Sequence, residues 1–281
     1  MSHRRIQSEK KPRRDNGSGP RPWRDTIAAL SKPVINRRIK NRFIVIVPVY
    51  NAAKYIEVCL NSCYQQSYAA TSIVIVDDAS TDGTSNTIQL WMRGRENIIY
   101  HRNAVRTRSP VGNIALGIGL SDAEPDDILV TVDGDDWLAT EDALRIVNLK
   151  YQSCNVWLTY GGYVTVHATQ RICTKPVLST AFYRRHEPYK TSHLRTFRKH
   201  LWDRIEDDDL RDVDGQYYKF AGDLAFMYPL IEMAGLDRIR MITERIYVYN
   251  NRNPINENRV SAQGIKICDR KIRALGKYSK V

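Results

Sequence analysis

Short apolar runs, FIVIVP at 43–48, SIVIVD at 72–77 and DILVTV at 127–132, recur along the chain with helix-patterned segments between them. No other feature of the 281 residues constrains the fold as much. The runs are continuously apolar and rich in β-branched residues, the pattern of strands buried on both faces. Between the first two, Ile56, Cys59, Leu60 and Cys63 fall on one helical face of 54–66. ASTDGTSNTIQLW follows the second run and offers Ser, Thr and Asp as caps for another helix. NIIYH at 97–101 reads as a further strand, and 111–120 as a helix weakened by Gly112, Gly117 and Gly119. Strand and helix in alternation give the α/β class, a mostly parallel central sheet flanked by helices.

Beyond residue 150 the pattern changes. VWLTYGGYVTVH reads as an antiparallel pair around Gly161 and Gly162. TSHLRTFRKHLWDRI is mixed and basic, with His193 just ahead of a helix, and DDDLRDVDGQYY is an acidic turn. GDLAFMYPLIEMAG places Leu224, Met227, Tyr228 and Ile231 on one helical face, and Pro229 should kink or shorten that helix. ITERIYVYN is a late strand. The expected organisation is one domain at 41–258, with one half at 41–150 and a smaller half at 151–258.

The formal net charge of +12 is unevenly placed. Residues 1–42 hold 13 Lys and Arg against 3 acids, residues 261–281 hold 6 against 1, and the stretch between is slightly acidic. Residues 1–40, poor in apolar groups, read as a disordered basic arm that can touch an anionic surface, and 259–281 as a basic C-terminal tail. The acidic middle speaks against a nucleic-acid footprint on the core. The arm has no apolar signal-peptide core, and no run of about 18 apolar residues suits a membrane span. Five cysteines without a CxxC pair point to a reducing, cytoplasmic setting without structural zinc, membrane-peripheral at most.

In parallel sheets, ligands gather beyond the carboxyl ends of the strands. The chemically rich stretches of this chain stand there: PVYN after the first run, DDASTDGT after the second and DGDD after the fourth strand. Asp133, Asp135 and Asp136 crowd like charges together. Hard oxygen ligands of this kind suit Mg²⁺ or Mn²⁺, whose shell substrate phosphates would complete. The alternative is a solvated acidic turn capping a helix at 141–150. Tyr50 could stack on a base or pack in the core. Asp77 could accept a ring N–H of uracil, thymine or guanine, or serve with Asp78 as a turn and helix cap.

FIVIVPVYNAAKYIEVCLNSCYQQSY, then SIVIVDDASTDGT, then VTVDGDDWL, in this order and spacing, resemble the family 2 glycosyltransferases of the GT-A fold over residues 43–150. GDLAFMYPLIEMAG extends the likeness to about residue 250. The resemblance implies an inverting, metal-dependent hexosyltransferase. It would move a sugar from a nucleotide-diphosphate donor, UDP-linked by expectation, to a hydroxyl of a glycan, lipid-linked or protein acceptor. It implies Asp133, Asp135 and Asp136 around Mn²⁺ or Mg²⁺. Donor contacts would come from Pro48, Tyr50, Asp77, Asp78, Arg106, Asp133, Gly134, Asp135 and His193. Asp223 matches the position of the family's general base, against the alternative of an N-cap carboxylate. Gly222 departs from the pattern, since many relatives carry a Glu-Asp pair there. Trp137 would wall the sugar site or pack in the core. The rival acids Asp207, Asp208, Asp209, Asp212 and Asp214 lie upstream. A nucleotidyltransferase would use the same sheet, but PVYNAAKY lacks its glycine-rich phosphate loop. A non-enzymatic anion-binding protein is the third reading.

Overall fold

The computed structural model describes residues 41–69, 72–153, 155–166, 171–172, 188–255 and 261–281. The basic arm expected at 1–40 lies outside them, as do Cys154 and Cys173. The apolar runs fold as expected. FIVIVPV is β1 (Phe43–Val49) and SIVIVD is β2 (Ser72–Asp77), both buried along their whole length. Helix α1 (Ile56–Tyr64) connects them, with Ile56, Cys59, Leu60 and Cys63 buried. Then follow α2 (Thr84–Trp91), β3 (Ile98–Arg102), α3 (Pro110–Leu120) and β4 (Ile128–Thr131).

β1 runs parallel to β2, with Val49 opposite Asp77, and parallel to β4, with Ile46 opposite Thr131. The segments that follow these three strands therefore leave the same edge of the sheet. One face of the sheet presents Ile44, Ile46, Val74 and Val76, and the other presents Val45, Val47, Ile73 and Ile75. Full burial of each such side chain contributes about 1.5–3 kcal/mol.

The second half departs from the expected pattern. After β5 (Trp137–Leu138) and α4 (Ala143–Ser153), the residues around Gly161 do not form a hairpin. β6 (Leu158–Gly161) joins the large sheet, while β7 (Tyr163–Thr165) pairs with β8 (Arg171–Ile172) in a second sheet. SHLRTFR, expected to lead into a helix, is a seven-residue strand, β9 (Ser192–Arg198), and the helix after it, α5 (Lys199–Trp202), is a single turn. β9 lies between β6 and β4 and runs antiparallel to both.

α6 (Gly222–Ala234) runs through Pro229 and is not shortened by it. β10 (Ile239–Ile242) closes the large sheet, in the order β10-β6-β9-β4-β1-β2-β3. β11 (Tyr247–Tyr249) completes the small one, in the order β5-β11-β7-β8. Residues 261–281, read from charge as a tail, instead hold helix α7 (Ala262–Ala274), capped by Ser261, whose side chain accepts from Gly264 N–H. Cys268 and Ile272 of α7 are buried in the cluster that contains α6. The chain end is tied to α6 as well, since Val281 N–H donates to Met233 O at 3.1 Å. Among the described residues, no helix is long and apolar enough to cross a membrane.

The glycines of α3 have a packing reason. A Cβ on Gly117 would stand 2.8 Å from Ile46 Cγ2 and 3.2 Å from Val76 Cγ2, whereas one on Gly119 would meet nothing within 4 Å. Gly119→Ala should therefore stabilise the fold by about 0.5–1 kcal/mol through helix propensity. Gly117→Ala should destabilise it, because overpacking costs about 1–3 kcal/mol. Urea denaturation of the two variants reads the opposite signs, and equal shifts would contradict the close helix–sheet approach.

Candidate active site

A cleft of about 870 Å³ opens at the edge where β1 and β4 end. Pro48 and Tyr50 line it from β1 and the turn beyond, Asp78 from the turn after β2, and Asp133, Gly134 and Asp135 from the turn after β4. Arg106, His193 and Asp223 join them from three further segments. The expected residues are thus brought to one place, with two exceptions.

Asp77 does not line the cleft. It is fully buried, and its carboxylate accepts from Ser80 N–H at 2.8 Å, from the Ser85 hydroxyl and from Tyr100 OH at 3.2 Å. It organises the turn behind the cleft, and the structure does not place it where the expected base-edge contact needs it. The acid on the cleft is its neighbour Asp78. Burial pulls the Asp78 carboxyl up, but hydrogen bonds from Thr107, Asn103 and Arg108 outweigh burial and hold it below its usual range. Among the described residues, Asp78 Oδ2 takes only Arg108 N–H, at 2.8 Å, which leaves capacity for another donor. The Arg106 guanidinium sits 3.5 Å above the Tyr50 ring, a cation–π contact at the cleft mouth.

Asp136 is the second exception. It is buried, accepts from Tyr247 OH at 2.8 Å and Asn250 N–H at 2.7 Å, and does not line the cleft. Its partners belong to β11 and the turn after it, so Asp136 clamps the DGDD turn to the second sheet. Asn253 donates to Asp135 Oδ2 at 2.7 Å from the same segment. Tyr247 and Asn253 escaped the sequence reading because a strand-like YVYN carries no site signature. Trp137 is on β5, away from the cleft.

β9 brings the remaining groups. Its register sets Arg195 opposite Thr131, and two residues further on His193 meets Asp133, with Nε2 3.9 Å from Oδ2. Strand alternation turns His193, Arg195 and Phe197 to one side, and Phe197 packs on Phe226 of α6. Arg195, buried, therefore reaches the first turn of α6, where Nη2 bonds Asp223 Oδ2 at 2.8 Å. Asp223 is the second residue of α6 and not its N-cap, a place taken by Ala221 with no side-chain bond. Arg195 was missed in the sequence, although the period-two pattern His-x-Arg-x-Phe carries it. Three of the five rival acids are engaged elsewhere, Asp207 with Arg211, Asp209 with Tyr278 and Asp212 with Lys271. Gly222 also has a local cause. A Cβ there would lie 2.9 Å from Val111 Cβ, so the Glu that the resemblance would place there has no room.

The electrostatics show a site short of positive charge. Burial, with the nearby Asp135 and Asp223 charges, lifts the Asp133 carboxyl to about 6 despite Arg195. Burial and the same crowding push Asp136 well above the carboxylate range. Burial and Arg195 keep His193 neutral, the form that binds metals. Its Nδ1 is buried without a hydrogen-bond partner among the described residues. Asp133, Asp136 and His193 each bring a ligand atom within 4.8 Å of one another. Asp133, Asp135 and His193 line the cleft, and Asp136 stands behind them with one protein donor on each oxygen. Oxygen-rich donors with excess negative charge fit a hard divalent cation.

The clamp is testable. Tyr247→Phe removes one donor to a buried carboxylate and should lower stability by about 1–3 kcal/mol in chemical denaturation. An unchanged midpoint would show that the Asp136 bond contributes nothing.

Comparison with known proteins agrees with this geometry. The model of the family described as "Glycosyl transferase family 2" matches residues 44–198. Among curated relatives, glycosyltransferase GlyA of Streptococcus pneumoniae is 23% identical over 57% of this chain. The poly(ribitol-phosphate) beta-N-acetylglucosaminyltransferase TarS of Staphylococcus aureus is 35% identical over 36% of it. The chain spans 23% of the length of the first and 17% of the second. Among solved structures, S. aureus TarS 1-349 in complex with UDP-GlcNAc superposes with a TM-score of 0.59 at 21% identity, covering 79% of this chain and 61% of that one. The mannosyltransferase PcManGT of Pyrobaculum calidifontis, in complex with GDP-Man and Mn²⁺, gives 0.56 at 20% identity, covering 90% and 71%. The fold is the expected GT-A fold. With more than half its length matched, from β1 to the end of β9, the chain belongs to glycosyl transferase family 2.

Proposed function

We propose that the chain is an inverting glycosyltransferase that moves a hexose from a UDP-linked donor to an acceptor hydroxyl with the help of Mn²⁺ or Mg²⁺. The observation that carries this reading is the presence, in one cleft, of a cation-seeking acidic turn and a separate carboxylate, Asp223, fixed by a buried arginine. Similarity to TarS, solved with UDP-GlcNAc, supports the donor class, and similarity to PcManGT, solved with Mn²⁺, supports the cation.

Tyr50, with Arg106 stacked on its ring, would border the base, and the free capacity of Asp78 Oδ2 suits a uracil ring N–H. Asp133 and Asp135, with His193, would hold the cation, which supplies charge neutralisation for the departing diphosphate. Arg195 holds Asp223 by Oδ2. Among the described residues, Oδ1 takes no hydrogen bond and is free to receive the acceptor's proton as its oxygen attacks. The pairing with Arg195 fixes the direction of the carboxylate, so that Oδ1 is held toward the acceptor. A cytoplasmic setting goes with this reading, since Cys59, Cys63 and Cys268 are buried free thiols.

Screening UDP-sugars with Mn²⁺ for release of UDP tests the proposal directly. Asp135→Ala should abolish donor turnover, and chelation by EDTA should do the same in the unaltered protein, reversed by added Mn²⁺. Turnover that survives both would remove the cation from the account. Asp223→Asn should bind UDP as the parent does and lose about 10²–10⁴-fold in transfer rate. Full turnover in that variant would strip Asp223 of the base role.

A further inference from the structure

The cleft has a second wall that the resemblance did not cover. It is built by the segment before α6 and by α7. Lys219, Phe220 and Lys266 line it, facing the space that Asp223 enters. The two parts are in contact, because a Cβ on Gly264 of α7 would lie 2.7 Å from the Phe220 ring. Lys219 and Lys266 are exposed and make no ion pair among the described residues. The other charges on this wall are already matched. Asp269 is bonded by Arg273 Nε at 2.7 Å. Asp212, whose carboxyl feels Lys219, is held by Lys271 Nζ at 2.6 Å. Asp223 is held by Arg195. Two cations are left over on the acceptor side, across from the acidic turn that a divalent ion would neutralise.

We infer that α7 and the segment before α6 form an acceptor subsite for a negatively charged chain, with Lys219 and Lys266 meeting its phosphate or carboxylate groups beside the base Asp223. The inference rests on the glycosyltransferase reading and adds the substrate class to it. Lysine ammonium groups act as point charges, which suits a repeating anion more than one fixed, bidentate partner. The unpaired charges also lack a structural reason, because exposed lysines contribute little to stability. Phe220 between them supplies an apolar surface against which a polyol or sugar ring can lie.

The experiment is equilibrium binding to the full chain with UDP and Mn²⁺ present. Three probes of equal length are compared, a glycerol-phosphate oligomer, an oligogalacturonate and neutral maltohexaose. At least one anionic probe should bind 10-fold or more tighter than the neutral one, and which of the two does so identifies the anion. The preference should fall to about 1 in Lys219→Glu/Lys266→Glu, by loss of the charge attraction that favours the anion. In Arg13→Glu/Arg14→Glu, which alters the basic arm, it should persist. Equal binding of all three probes overturns the inference. So does a preference that survives in the cleft variant or vanishes in the arm variant. Weakened UDP binding in the cleft variant, measured without probe, also overturns it, because the lysines would then serve the donor. Donor turnover is measured separately. Its absence would sink the glycosyltransferase reading, whereas the probe preference reports on the lysines alone.

Discussion

Repulsion among Asp133, Asp135 and Asp136 has to be countered before β4 can end as it does. The protein counters part of it with donors. Tyr247 OH and Asn250 N–H bond Asp136, and Asn253 bonds Asp135. Among the described residues no such donor relieves Asp133, whose carboxyl rises to about 6, chiefly because of burial. The acidic turn is thus held in place from one side and left electrostatically incomplete on the other. That incompleteness is aimed at the cleft, and the rest of the site is arranged around it.

The sheet explains how so many separate segments reach that point. Parallel pairing of β1 with β2 and β4 sends three chemically rich turns off one edge. β9 then enters the same edge in the opposite direction, which is why a strand can deliver His193 to Asp133 and Arg195 to Asp223. Arg195 on β9 bonds Asp223 on α6 and feels the charge of Asp133 on the opposite wall of the cleft. Its burial works against its charge, and the facing Tyr189, Asp223 and Asp133 groups outweigh that and keep the guanidinium firmly protonated. A buried cation facing two carboxylates holds both walls of the cleft at a set separation, and truncating it would leave uncompensated negative charge.

The nucleotide-side half was legible because its strands are buried on both faces and are therefore written in Val and Ile. The turns after them could be placed from those runs alone. The other half was less legible for physical reasons. β9 lies centrally in the sheet, yet it carries His193, Arg195 and Arg198, because one end of it builds the site, so it reads as a basic loop. β6 and β7 are consecutive in sequence but join different sheets, which a glycine pair does not reveal. In α7 the apolar stripe is only Ile265, Cys268 and Ile272, and the charge count hid it. Asp77 and Asp78 are adjacent, and sequence cannot say which one turns inward. The structure shows Asp77 bonding its own turn and Asp78 at the cleft.

The account depends on a cation bridging the acidic turn to a diphosphate, so the two ligands must bind together more tightly than either does alone. Titration calorimetry of UDP into the full chain, with Mn²⁺ and in its absence, measures that coupling. The account predicts that Mn²⁺ tightens UDP binding by at least about tenfold, a coupling of roughly 1.4 kcal/mol. The same UDP affinity with and without Mn²⁺ would contradict it.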